Sequence, residues 1–219
     1  MKQSLVYKLI FTITFGMLFS THAVADYSKT FEGYQVFDKY CFICHGAEGK
    51  GDGPLAGKIG TAPANLTDDN RMAKRSDKDL IRIIEGSAPH GTVTSDMPQW
   101  SRALSYTQIR SLVSYVRYMH RGKYKLTGDP VAGKVIYDGA CAQCHGDDGE
   151  GDGVLTHVYS MSPANHTDAE RMDKMSNEEM RKIITKGGPG KSLMPGWDGI
   201  LNTQEINDVI SYIRLMAAH

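Results

Sequence analysis

The chain reads as an all-α protein of two tandem units, and two observations carry that reading. The sequence repeats itself at a displacement of 100 residues, so that Cys41-Phe42-Ile43-Cys44-His45 returns as Cys141-Ala142-Gln143-Cys144-His145. Each half also closes on apolar residues at helical spacing: Ile109, Leu112, Val113, Val116 and Met119 in the first, Ile206, Val209, Ile210, Ile213 and Met216 in the second. A repeat this long divides the 219 residues into units of about a hundred each, a size at which an apolar core is thin.

The amino terminus stands apart from the repeat. Lys2 and Lys8, the apolar run at 9–19 and the small residues Ala23-Val24-Ala25 read as a secretory signal at 1–25, cleaved after Ala25. An uncleaved membrane anchor is the competing reading, but that run is shorter than the ~20 residues a spanning helix needs, and no other segment is apolar enough, so no membrane span is expected after cleavage. The two units are then 26–123 and 124–219, joined by a polar link at 121–130 with Gly122, Gly128 and Pro130.

In the first unit Phe31, Tyr34, Val36, Phe37 and Tyr40 predict an amphipathic helix leading to Cys41, and Val135, Ile136 and Tyr137 take that part in the second. Ser76 with Asp79, and Ser176 with Glu179, fit capping boxes opening short helices, whose buried faces are Leu80, Ile81, Ile83 and Ile84 and then Met180, Ile183 and Ile184. Ser105 with Gln108, and Asn202 with Glu205, start the last helix of each unit.

Charge excludes one class of partner and suggests another. The 25 Lys/Arg and 25 Asp/Glu cancel, with no basic excess of the kind nucleic-acid binding requires. The halves differ, however: 26–123 holds 14 basic and 11 acidic residues, net plus three, and 124–219 holds 9 and 14, net minus five. Such asymmetry orients protein partners during docking.

The four cysteines all lie in the repeated pentapeptide. A C-x-x-C pair alone fits zinc, a redox dithiol or a disulfide. A histidine abutting both copies, with no further ligand pair at zinc-finger spacing, is instead the attachment signature of c-type haem. Two thiols one helical turn apart take the two vinyl groups of a porphyrin, and the next imidazole reaches its iron. Two covalent haem c groups follow, on Cys41, Cys44 and His45 and on Cys141, Cys144 and His145.

The flanking residues extend the match. His45-Gly-Ala-Glu-Gly-Lys-Gly-Asp-Gly53 faces His145-Gly-Asp-Asp-Gly-Glu-Gly-Asp-Gly153, and Ala62-Pro-Ala-Asn-Leu-Thr-Asp68 faces Ser162-Pro-Ala-Asn-His-Thr-Asp168. Here the chain resembles the class I c-type cytochromes, specifically bacterial diheme forms built from two tandem domains. The resemblance implies a few helices wrapped around each haem, with the glycine-rich loop along the haem edge and Pro54 offering its carbonyl to the histidine; Val154 stands in its place in the second unit.

It further implies that Met97 and Met194 are the sixth ligands to iron. Met97-Pro-Gln-Trp100 matches Met194-Pro-Gly-Trp197 at a displacement of 97, so the motif outlives the loss of three loop residues. Met72 and Met172 also recur and read as core filler. His90, His157 and His166 have no counterpart in the other half and read as ordinary surface or loop residues. Trp100 and Trp197 are expected at the haem edges, Arg71 and Arg171 near propionates, and Tyr115 and Tyr212 where the last helix crosses the first.

A haem with both axial positions filled passes single electrons. The sequence shows no acid, base or nucleophile constellation, so an electron carrier is expected rather than an enzyme. The resemblance implies a soluble periplasmic relay between a quinol-oxidising complex or dehydrogenase and a terminal reductase or oxidase. Two readings stand beside it: a haem enzyme, peroxidase or sulfur-compound oxidoreductase, with one open haem, and an electron-entry subunit of a membrane complex.

Overall fold

The computed structural model describes residues 27–89 and 96–217; the expected signal at 1–25 and His90 lie outside them. Among the described residues the structure is helical without strands, and no helix is long and apolar enough to cross a membrane. The first half holds α1 (Tyr27–Tyr40), α2 (Phe42–His45), α3 (Asp69–Met72), α4 (Asp77–Glu85) and α5 (Tyr106–Arg121). The second holds α6 (Pro130–Ile136), α7 (Ala142–His145), α8 (Ala169–Asp173), α9 (Asn177–Lys186) and α10 (Thr203–Met216). One turn of π-helix, Tyr137–Cys141, joins α6 to α7.

Each half is framed by its first helix crossing its last, α1 on α5 and α6 on α10. The crossing is close because a glycine sits at it. A Cβ on Gly33 would overlap the carbonyl of Ser111, and one on Gly133 that of Asp208. Tyr115 packs there on Tyr34 and Phe37, ring centroids 5.4 Å from each. Tyr212 packs on Tyr137 at 5.4 Å and reaches into the other half, edge-on to Phe31 at 5.2 Å. Both tyrosines thus stand where expected, and Tyr212 also ties the halves together.

The link between the halves is stapled to α10. Ser211 Oγ accepts the N–H groups of Thr127 and Gly128, and Asp208 Oδ1 accepts that of Asp129. Burying Ser211 and Asp208 is tolerable because these donors satisfy them.

All four expected helix starts form reciprocal capping boxes: Ser76 with Asp79, Ser105 with Gln108, Ser176 with Glu179 and Asn202 with Glu205. The buried stripe of α4 narrows to Leu80 and Ile84, and that of α9 to Met180 and Ile184, one helical turn apart. One expectation fails: Val135 is 71% exposed, so the inward face of α6 continues through Tyr137, fully buried, rather than through the valine.

One arginine locks each core, and in the same way. Arg117 donates to the carbonyls of Met72 and Arg75 and to Asp77 Oδ1, and Arg214 to those of Met172 and Met175 and to Asn177 Oδ1. The carbonyls at the end of a short helix have no partner within it. Each arginine supplies them from the last helix of the unit. Met72 and Met172, both 2% exposed, are packed beneath as the expected filler.

Gly133→Ala tests the crossing. Alanine favours a helix interior by about 0.5–1 kcal/mol over glycine, yet overpacking costs about 1–3 kcal/mol, so net destabilisation is expected in denaturant unfolding of the holoprotein. Equal or greater stability would show that the helices do not meet here.

Candidate haem sites

Each C-x-x-C-H lies on a single helical turn. Cys41 accepts the N–H of His45 at 2.9 Å through its carbonyl, which closes α2 and brings both sulfurs and the imidazole to one side. None of the four thiols is in a disulfide. Burial first, and the neighbouring cysteine second, push the Cys41 and Cys141 thiols up to about 12. A redox dithiol needs the opposite shift. Nor do three or more His, Cys, Asp or Glu gather as a metal cluster among the described residues.

The histidines are held by their inner nitrogens. His45 Nδ1 donates to the carbonyl of Ala64 and His145 Nδ1 to that of Ala164, each at 3.0 Å. A carbonyl only accepts, so Nδ1 carries the proton and Nε2 keeps its lone pair. Desolvation lowers the pKa of both rings against the opposing pull of that hydrogen bond, and Arg171 lowers His145 further. A neutral imidazole with a free Nε2 is what iron requires.

The acceptor is not Pro54, as the resemblance had implied, but the carbonyl after Pro63 and Pro163. The glycine-rich loop places it. Gly51 N–H donates to His45 O at 2.8 Å, and Leu66 N–H donates back to Gly49 O at 2.6 Å; Gly151 and His166 repeat this with His145 and Gly149. Gly51 and Gly151 have φ of 82° and 85°, and a Cβ on Gly51 would stand 2.5 Å from Pro63 O. The glycines let the loop and the Pro-Ala segment lie flush, which aims the carbonyl.

In the second unit a cavity of about 620 Å³ is lined by Cys141, Cys144, His145, Arg171, Met194 and Trp197, among others. That volume lies within the about 300–1,000 Å³ usual for a cofactor-sized ligand. The residues fit a covalent haem: thiols, a free imidazole nitrogen and a thioether on one apolar-walled cavity. Met194 is presented by a pinned loop, its carbonyl accepting from Gly188 at 3.0 Å and Trp197 N–H reaching Ile184 O at 3.0 Å. The repeat is three residues shorter here, and the turn carries Gly187 at a φ of 92°.

Met161, Met172, Met175 and Met180 line the same cavity. Thr61, Arg75 and Leu80 stand opposite Met161, Met175 and Met180 in the repeat, so only Met172 and Met194 recur. Met172 is packed under Arg214. In the first unit Met97 and Trp100 are half-buried against the core, and Trp100 stacks at a tilt on Tyr40, 5.6 Å between centroids. Both arginines are exposed, and Arg171 stands at the rim of the second cavity, which it helps to line.

His157 is exposed, as expected of an ordinary histidine, but His166 is not. It is 8% exposed, 3.1 Å from Tyr137 Oη through Nδ1, and stacked on His145 at 4.3 Å with the planes 15° apart. Burial first, and then His145 and Arg171, hold its pKa well below the usual histidine range. The signal was in the sequence: His166 faces Leu66, and Tyr137 faces Phe37, in an otherwise matching register.

A helical protein with two such sites defines a class of covalent haem proteins. The model of the cytochrome c family matches residues 31–120 and 130–217, and the chain belongs to that family, with two tandem units carrying two covalent haem c groups. It is a diheme c-type cytochrome.

Among relatives, it is 25% identical over 222 residues to the cbb3-type cytochrome c oxidase subunit FixPc of Rhizobium leguminosarum bv. viciae, covering 96% of this chain and 69% of that one. It is 25% identical to the subunit CcoP of Azospirillum sp. (strain B510), covering 83% of this chain and 60% of the relative's length. A chain of the Kuenenia stuttgartiensis reducing HAO-like protein complex Kustc0457/Kustc0458 is 24% identical, covering 84% of this chain and 95% of that one with a TM-score of 0.36.

Gly51→Ala tests the loop's part in aiming the histidine. A left-handed alanine costs about 1–2 kcal/mol before any clash with Pro63. The holoprotein is expected to unfold at lower denaturant by at least that amount, whereas Gly57→Ala, at a site with open space around it, is expected to be neutral.

Proposed function

We propose that the chain is a periplasmic electron carrier with His45 and Met97 on the first iron and His145 and Met194 on the second, in units spanning 26–123 and 124–219. Cys41 and Cys44, and Cys141 and Cys144, hold the two porphyrins by thioether bonds. The observation that carries this is the common design of the sites: an inner-nitrogen hydrogen bond that frees Nε2 in both, and a Met-Pro-x-Trp loop kept through a deletion. Met194 and His145 line one cavity, where both would be available to hold a single iron.

When bound, the haem iron supplies a one-electron couple between ferric and ferrous states. The residues do the rest. The histidine is fixed in rotation by its carbonyl partner, so little geometry changes between states. The methionine favours the ferrous form and leaves no position for a substrate. On this reading the chain takes electrons from a quinol-oxidising complex or a dehydrogenase and delivers them to a terminal reductase or oxidase, with the unlike charges of its halves orienting the two dockings.

A second reading is favoured by the relatives, whose names are those of cbb3-type oxidase subunits. It makes the chain an electron-entry subunit held in a membrane complex. Fractionation separates the two: a carrier is released with the soluble periplasmic fraction, a subunit stays with the membrane.

The ligand assignment is tested by the near-infrared charge-transfer band from methionine sulfur to ferric iron. Met97→Ala and Met194→Ala are each expected to remove half of the parent's band and to open one reduced haem to carbon monoxide. A variant that keeps the full band, or a parent that binds carbon monoxide when reduced, would overturn the carrier and favour an enzyme with an open haem.

A further inference from the structure

The two sites share a backbone but not a lining. Leu66 and His166 occupy one place, each donating its N–H to the glycine-loop carbonyl, Gly49 or Gly149, at 2.6 Å. Phe37 and Tyr137 likewise correspond, 2% and 0% exposed on the chain leading to the first cysteine. In the second unit the exchanged pair meet, Tyr137 Oη within 3.1 Å of His166 Nδ1. The His166 ring lies flat on that of His145, and His166 lines the cavity shared with Cys141, Cys144 and Met194.

A polar group brought into such a place is costly unless it is hydrogen-bonded. Tyrosine for phenylalanine and histidine for leucine go together because each satisfies the other. Nothing about packing requires the pair, since the first unit closes the same fold with Phe37 and Leu66.

We propose that His166, held by Tyr137, is a positioning residue that sets the reduction potential of the second haem below that of the first. Oxidation adds one positive charge to the iron, and part of it spreads to the ligating imidazole. An aromatic ring face-on to a cationic group attracts it, and polar atoms in the lining favour the charged state over what leucine would do. Both effects favour the ferric form and lower the potential. Leu66 and Phe37 exert neither. The inference rests on the diheme-carrier reading above. In the half-reduced protein the electron then resides in the first unit: as the second iron passes from ferrous to ferric, the first passes from ferric to ferrous.

Potentiometric titration of the holoprotein, followed at the haem absorption bands, tests this. The parent is expected to show two one-electron waves. His166→Leu should raise the lower wave toward the upper and leave the upper in place, and Leu66→His should lower the upper wave. Tyr137→Phe keeps the ring and nearly the volume, and should raise the lower wave by less; it decides the matter if His166→Leu fails to take up haem. A single wave in the parent, a lower wave that stays or falls in these variants, or an upper wave indifferent to Leu66→His overturns the proposal. Carbon monoxide binding to the reduced parent would instead overturn the carrier reading, so the two failures are distinguishable.

Discussion

The hydrogen bond from each histidine's Nδ1 to an alanine carbonyl is the constraint on which the rest of the structure turns. An imidazole offered to iron must keep Nε2 free and hold its plane, and one backbone acceptor achieves both. That acceptor lies 19 residues downstream of the histidine, so the intervening chain has to return to it. The glycine-rich loop and the Pro-Ala segment exist in their observed form because of that return. Left-handed glycines turn the chain, and the lack of side chains lets the two strands of the loop touch. The helix pair behind the loop, crossing at Gly33 or Gly133, then braces the turn that bears the thiols.

Seen this way, the conspicuous and the inconspicuous features of the repeat have equal standing. The capping boxes and the apolar stripes were legible because they are local: a serine and an acid three residues apart suffice, and a helical period declares its own buried face. The roles of Ala64, Gly33 and Arg214 were not. A backbone carbonyl has no side-chain signature, a crossing glycine looks like any other glycine in a helix, and an arginine in an amphipathic pattern reads as solvent-facing until its carbonyl partners are known. Each depends on a segment distant in the chain. Pro54 illustrates the hazard, since a proline near the histidine drew the eye while the working carbonyl followed a different proline that repeats without fault.

Val135 failed for a related reason. Three consecutive apolar residues cannot all face one side of a helix, and the π-turn that follows α6 selects Tyr137 for the interior. The repeat held the clue, because polar Gln35 stands opposite Val135, and in the first unit Val36 and Phe37 are buried while Gln35 is exposed. Periodicity identifies a helix more reliably than it assigns each residue's direction near a helix end.

Departures from the repeat carry information of another kind. Where two units keep the same backbone bonds, a difference in side chain is free of the demands of folding, because the sister unit shows the fold closing without it. Arg117 and Arg214 match in role, as do the four capping boxes, so these belong to the shared architecture. Tyr137 and His166 do not match, and His166, in contact with Tyr137, stacks on His145, the imidazole proposed for the second iron. A bland explanation would need two independent polar substitutions to land in contact, in a buried place, beside the ligand. A single functional pressure on that site accounts for both, since each residue is costly there without the other.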